Sequence, residues 1–135
     1  NADGVDLGQD DLDIKAAREY LGADKIIGVS AHNVKEALEA ENGGADYLGS
    51  GAAFVTSTKT DAGAIDHKVL SDVAHSVKIP VVAIGGINKD NISQLEGLGL
   101  DGVAVVSAIF AADDISSAVI DLKAKAEKVA ESSVK

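Results

Sequence analysis

The chain has 135 residues, a formal net charge of −10, 46% hydrophobic residues but only 3% aromatics, and no cysteine. That length allows one compact domain with a real core and falls short of the roughly 200 to 250 residues of a complete eight-stranded βα barrel. The acidic balance repels nucleic acid and anionic membranes, and the lack of cysteine excludes disulfides and thiolate metal sites, as expected of a cytoplasmic protein. No apolar run approaches the roughly 18 residues needed to span a bilayer. The start, Asn1-Ala2-Asp3-Gly4, lacks both a basic leader and an initiating Met and is expected to be an interior cut.

With so few aromatic residues the core must be built from Val, Ile, Leu and Ala, the usual filling of parallel sheets covered by helices on both faces. Four stretches repeat one pattern of small residue, apolar residue and Asp before an apolar run: Asn1-Ala2-Asp3, Gly22-Ala23-Asp24, Gly44-Ala45-Asp46 and Gly99-Leu100-Asp101. Glycine there ends a helix with a positive φ, and the run after it begins a strand. Strands are therefore predicted over 4–7, 25–29, 46–49, 81–84 and 102–106, the fourth preceded by Pro80, where a missing N–H costs least.

Between them the spacing predicts helices over 13–21, 34–42, 67–76, 91–98 and 115–132, the last with Ile115, Val119, Leu122, Ala126 and Val129 along one face. Asn33 followed by Glu36 has the spacing of a capping box. The order is strictly βα, which gives an α/β fold of parallel βα units, about five strands of a TIM-type barrel in a single domain. The strand starts are separated by 21, 21, 35 and 21 residues, so one unit is longer than its siblings by a stretch around 50–65. Loops leaving the C-terminal ends of parallel strands all open on one face, so this longest loop is the first place to look for chemistry.

Several segments on that face carry usable groups. Gly85-Gly86-Ile87-Asn88 and Ser107-Ala108-Ile109-Phe110 follow the fourth and fifth strands and offer free backbone N–H groups, which bind phosphate without a net positive protein; the plainer alternative is a tight turn and a helix cap. Thr56-Ser57-Thr58-Lys59 places three hydroxyls before an ammonium, donors suited to phosphate oxygens or to plain solvation. After the first strand, Asp10, Asp11 or Asp13 either caps the next helix or, in Gln9-Asp10-Asp11, supplies a hard oxygen ligand to Mg²⁺. Ser30 and His32 end the second strand on the same face, His32 reading as a polar loop residue. His67 and His75 read as surface helix residues.

Taken in order, Ala2-Asp3-Gly4-Val5-Asp6-Leu7-Gly8-Gln9-Asp10-Asp11, Gly28-Val29-Ser30-Ala31-His32, Gly44-Ala45-Asp46-Tyr47-Leu48-Gly49, Thr56-Ser57-Thr58-Lys59, Ile84-Gly85-Gly86-Ile87 and Gly102-Val103-Ala104-Val105-Val106-Ser107-Ala108-Ile109 resemble the thiamine phosphate synthases over essentially the whole chain. The resemblance implies a transferase that joins hydroxymethylpyrimidine diphosphate to thiazole phosphate. It implies Mg²⁺ on Asp11, the diphosphate on Ser30 and Lys59, and the thiazole phosphate among Thr56, Thr58, Gly86, Val106 and Ser107. Ser30 and Lys59 would be the catalytic pair. In the family three further βα units supply basic residues for the diphosphate and an Asn-Asp pair with a second metal carboxylate. This chain departs from the pattern at Asp6, where the family usually has His, and at Ala52 and Val55, where it usually has prolines.

The expected partners are thus phosphorylated small molecules, with neither nucleic acid nor membrane. Open strand edges favour pairing with another chain, a homo-oligomer among the outcomes. Two other readings stay open: a thiazole tautomerase, although that class typically breaks the Thr-x-Thr-Lys segment, and a non-catalytic partial barrel that only binds phosphate.

Overall fold

In a computed structural model that describes residues 2–55, 63–131 and 133, five parallel strands form one sheet whose spatial order is the chain order. The strands are β1 (Gly4–Leu7), β2 (Ile26–Ala31), β3 (Tyr47–Gly51), β4 (Val81–Ile84) and β5 (Gly102–Ala104). Helices α1 (Ile14–Leu21), α2 (Val34–Gly43), α3 (His67–Ser76), α4 (Ser107–Phe110) and α5 (Ile115–Ala130) lie between and after them. No described helix is long and apolar enough to cross a membrane.

Parallel crossovers are right-handed almost without exception, so a sheet whose order follows the chain receives every helix on the same face. Burial agrees. Leu7, Ile27, Val29, Ala31, Leu48, Val81 and Ala83 share one face of the registers and are buried, whereas Asp6, Ser30, Tyr47, Val82 and Ile84 share the other and are half-buried or exposed. The expectation of helices on both faces is thereby corrected: among the described residues the second face is open. Ile27, Leu48, Leu70, Ile92, Leu95 and Leu100 are fully buried, each contributing about 1.5–3 kcal/mol through the area it removes from water.

The repeated Asp has a physical task. The Asp46 carboxylate accepts the Ile27 N–H at 2.8 Å while its own N–H donates to the Ile27 carbonyl at 2.7 Å. Asp101 does the same to Val81, with both bonds at 2.8 Å. Each Asp thus clamps its strand to the start of the one before it. Arg18 braces the first clamp, donating to Asp46 at 2.8 Å and to the carbonyls of Lys25 and Gly44. The glycines of the repeat have the expected positive φ, 92° at Gly22, 98° at Gly44 and 84° at Gly99.

The bond from Ile27, and then the Arg18 guanidinium, hold the Asp46 carboxyl below its usual range. A depressed folded pKa contributes stability that is fully present above the unfolded value, near 4, and lost as the pH falls through the folded one. Asp46→Ala is expected to lower the unfolding free energy by about 1–3 kcal/mol at pH 7, because the buried Ile27 amide loses its acceptor. In urea melts repeated at decreasing pH, the gap to the parent should close below about pH 4. A gap that stays constant to pH 2.5 would remove the carboxylate's charge from the account.

Three expectations change in detail. The predicted helix over 91–98 is a short 3₁₀ turn, Ile92–Leu95, because Glu96 turns extended at ψ 140° and Gly97 and Gly99 follow at φ 81° and 84°. The fifth strand ends at Ala104 rather than 106, and Val106 instead caps α4 without a side-chain bond. Along α5, Leu122 and Val129 are buried as expected, but Ile115 and Val119 at its start remain exposed. The Asn33–Glu36 capping box forms: Asn33 accepts the Glu36 N–H at 2.9 Å, and the Glu36 carboxylate reaches back one residue further, to the His32 N–H at 2.7 Å.

Candidate active site

All five strands are parallel, so their C-terminal ends open along one edge of the sheet. Four of them deliver predicted residues there. The loop after β1 brings Asp11, Ser30 lies in β2, Gly86 follows β4, and Val106 and Ser107 follow β5. Thr56, Thr58 and Lys59 lie outside the described residues.

The loop after β1 is folded on its own side chains. Asp13, not Asp10 or Asp11, caps α1, accepting from the N–H groups of Lys15 and Ala16 at 3.0 and 3.3 Å. That settles the capping alternative and leaves Asp11 to the loop, where one carboxylate oxygen accepts the Gly8 N–H at 2.7 Å. Gln9 then donates to the Ser30 carbonyl at 2.6 Å, tying this loop to the end of β2. Asp11 and Ser30 are thus held to one structure by Gln9, a role the sequence reading did not assign.

The long loop starts by packing under the loop after β4. Ala53 N–H donates to the Ile84 carbonyl at 2.8 Å and Phe54 N–H to the Gly85 carbonyl at 3.1 Å. Gly85 and Gly86 have φ of 97° and 67°, and a Cβ on Gly86 would lie 2.6 Å from the Phe54 carbonyl oxygen. These glycines are therefore required by the fold itself, whatever binds above them. The turn is locked further by Asn91, whose amide donates to the Gly86 carbonyl at 2.8 Å and whose side-chain oxygen accepts the Asn88 N–H at 2.8 Å. Among the described residues the N–H groups of Gly86 and Ile87 have no backbone acceptor.

His67 corrects the surface reading. It is half-buried, its Nε2 lies 3.1 Å from the Ala53 carbonyl, and its ring stands edge-on to Phe54 with centroids 5.0 Å apart. It fastens α3 to the start of the long loop and so to the support beneath Gly86. His75, by contrast, is exposed and lies against Gly99.

One further pair stands on the open face. The Tyr47 hydroxyl donates to Asp6 at 2.7 Å, and the ring crosses Gly28, where an added Cβ would meet the ring at 2.2 Å. The registers place Asp6, Gly28 and Tyr47 side by side. Strand parity was the available signal: Tyr47 lies opposite the buried Leu48 side and directly beside a glycine.

Compared with known proteins, residues 1–109 match the family described as thiamine monophosphate synthase. The chain is 56% identical over 115 residues to a thiamine-phosphate synthase of Clostridium acetobutylicum, covering 85% of this chain and 54% of that protein. It is 50% identical over 129 residues to one of Pyrococcus furiosus, covering 96% and 62%. The chain thus spans little more than half the length of these relatives. The solved thiamine phosphate pyrophosphorylase of P. furiosus superposes with a TM-score of 0.85 at 48% identity, over 95% of this chain and 61% of that one. A 3-hexulose-6-phosphate synthase shares the fold alone, with a TM-score of 0.68 at 20% identity over 92% and 62%.

Proposed function

This chain belongs to the thiamine monophosphate synthase family, and from that premise we propose that it carries one part of a transferase site that joins hydroxymethylpyrimidine diphosphate to thiazole phosphate. The observation that carries the reading is the placement of Asp11, Ser30, Gly86, Val106 and Ser107 at or just after the C-terminal ends of four parallel strands, along one edge of the sheet. In the reaction the bond between the pyrimidine methylene carbon and the diphosphate oxygen breaks, and its electron pair leaves with the diphosphate. The thiazole nitrogen lone pair then forms the new C–N bond, giving thiamine phosphate and diphosphate.

The N–H groups at Gly86 and Ile87, together with Val106 and Ser107, hold the thiazole phosphate. Thr56 and Thr58 add hydroxyls to that phosphate, while Ser30 and Lys59 take the leaving diphosphate. Asp11 fits Mg²⁺ as a single carboxylate ligand: the Gly8 N–H orients it, and among the described residues its second oxygen accepts no hydrogen bond. Among the described residues no three acidic or His groups form a cage of their own. A lone carboxylate suits an ion held mainly by phosphate oxygens and water. Mg²⁺ supplies charge neutralisation of the leaving group. Asp11→Asn is expected to raise the Mg²⁺ concentration for half-maximal rate, and an unchanged requirement would leave Asp11 as a turn residue only.

The test is formation of thiamine phosphate. The family-length protein carrying this chain is expected to produce it, and failure with both substrates and Mg²⁺ present would overturn the reading. The 135-residue chain alone is expected to produce none, because orienting two reactants accounts for several kcal/mol of a typical barrier and one reactant would lack its remaining contacts. Turnover by the chain alone within tenfold of the family-length protein would show that these residues hold both substrates unaided. Phosphorylated small-molecule substrates, which do not cross a bilayer unaided, support a cytoplasmic activity. Among the described residues β1 and β5 are the edge strands of the sheet, where further βα units or another copy would pair.

A further inference from the structure

The inference concerns the loop after β4 and rests on the reading just given, in which the N–H groups of Gly86 and Ile87 hold the thiazole phosphate. In a trans peptide the C=O and the N–H point in opposite directions, so whatever holds one end of the unit aims the other. Two consecutive peptide units are held in this way. The Gly85 carbonyl accepts the Phe54 N–H at 3.1 Å, which turns the Gly86 N–H away from Phe54. The Gly86 carbonyl accepts the Asn91 side-chain amide at 2.8 Å, which turns the Ile87 N–H away from Asn91.

Chemistry fixes the orientation of the Asn91 amide. The Asn88 N–H, at 2.8 Å, can be met only by the side-chain oxygen, which leaves the NH₂ group facing the Gly86 carbonyl. Asn88 returns the contact, its side-chain oxygen accepting the N–H groups of Asp90 and Asn91 at 2.9 and 3.1 Å. Asn91 is half-buried and directly precedes the 3₁₀ turn, whose Ile92 and Leu95 are fully buried. The amide is thereby anchored to the core.

Aim matters because the neighbourhood is acidic. A cavity of about 620 Å³ beside the loop after β4 is lined by Asn88 and Ser107, and its walls also carry Asp90, Asp113, Asp114 and Asp121. Carboxylates repel an anion at any angle, whereas an N–H attracts it only near its own direction. A bond at the carbonyl end also polarises the peptide and strengthens its N–H as a donor.

We propose that Asn91 is a positioning residue for the transferase: by holding the Gly86 carbonyl from behind, it aims the Ile87 N–H at the phosphate of the thiazole substrate. Asn91 itself touches neither substrate. The Gly86 N–H is aimed separately, by the backbone of Phe54, so loss of the Asn91 amide loosens one donor of the pair and spares the other.

The experiment uses the family-length protein with Asn91→Leu and Asn91→Asp. Leu has no donor, and ionised Asp keeps an acceptor for the Asn88 N–H but cannot donate to the Gly86 carbonyl. Both variants are expected to raise KM for the thiazole phosphate about tenfold, the scale of one hydrogen bond to a charged group. KM for the pyrimidine diphosphate should stay unchanged and kcat within about threefold. In amide NMR spectra of the parent, thiazole phosphate should move both the Gly86 and the Ile87 N–H downfield; in Asn91→Leu only Gly86 should move. Should the Leu variant fail to fold, the Asp variant carries both measurements. An unchanged KM for the thiazole phosphate in a folded variant, an equal rise for both substrates, or an Ile87 shift as large as the parent's would overturn the proposal and leave the transferase reading standing. Absence of product from the parent would instead overturn that reading.

Discussion

Replacing Lys59 by alanine in the family-length protein is expected to slow thiamine phosphate formation by about a hundredfold or more, the scale of losing one preorganised electrostatic group. The leaving diphosphate must be neutralised by a protein whose chain here carries a net charge of −10, so the neutralising charge has to be local. Lys59 stands in the one βα unit that is expanded, directly after the hydroxyls of Thr56, Ser57 and Thr58. Single-turnover rates at saturating substrates isolate the chemical step from binding. A loss under threefold would place Lys59 in solvent and move the task to Mg²⁺ and residues beyond this chain.

The largest expected effect on stability comes from Gly51→Ala. A Cβ on Gly51 would lie 2.0 Å from the Ile84 carbonyl oxygen and 2.9 Å from its carbonyl carbon. Both are backbone atoms of β4, so no side-chain rotation relieves the clash, and β3 must separate from β4 at a ladder pair. That oxygen also accepts the Ala53 N–H at 2.8 Å, a bond that starts the long loop and would be lost with the shift. Overpacking against a fixed backbone is expected to cost about 3 kcal/mol or more. Urea unfolding measures it, with Gly63→Ala as the control. Gly63 is exposed with nothing within 4 Å of its Cβ position, so its change should stay within about 0.5 kcal/mol. Equal midpoints for the two variants would refute the close-approach argument for Gly51.

The same geometry limits which variants can report on phosphate binding. Substituting Gly86 disturbs a positive φ and its contact with the Phe54 carbonyl before any ligand is considered. A loss of affinity in such a variant would not separate ligand contact from loop collapse. Ser107, exposed at the start of α4, is the cleaner position.

Much of the frame was determined by local sequence. The βα alternation, the expanded unit, the glycine helix ends and the Asn33 cap follow from periodicity and from backbone φ, which act over a few residues and therefore can be read from them. That Asp11, Ser30, Gly86, Val106 and Ser107 lie along the same edge also follows, because parallel strands carry all their exits to one side. Tertiary structure decided what depends on partners distant in the chain. Asp13 rather than Asp11 caps α1, a choice among neighbouring carboxylates made by the entry path of the helix. His67 became a strut because Ala53 and Phe54 fold back onto α3. The 91–98 segment lost its helix to glycines at positive φ and to the Asn88–Asn91 lock, which outweighed its apolar spacing. The Asp6–Tyr47 bond joins residues 41 positions apart through strand register and a glycine gap. Pairing of that kind is set by which strands lie side by side, a property of the assembled sheet that no single strand encodes.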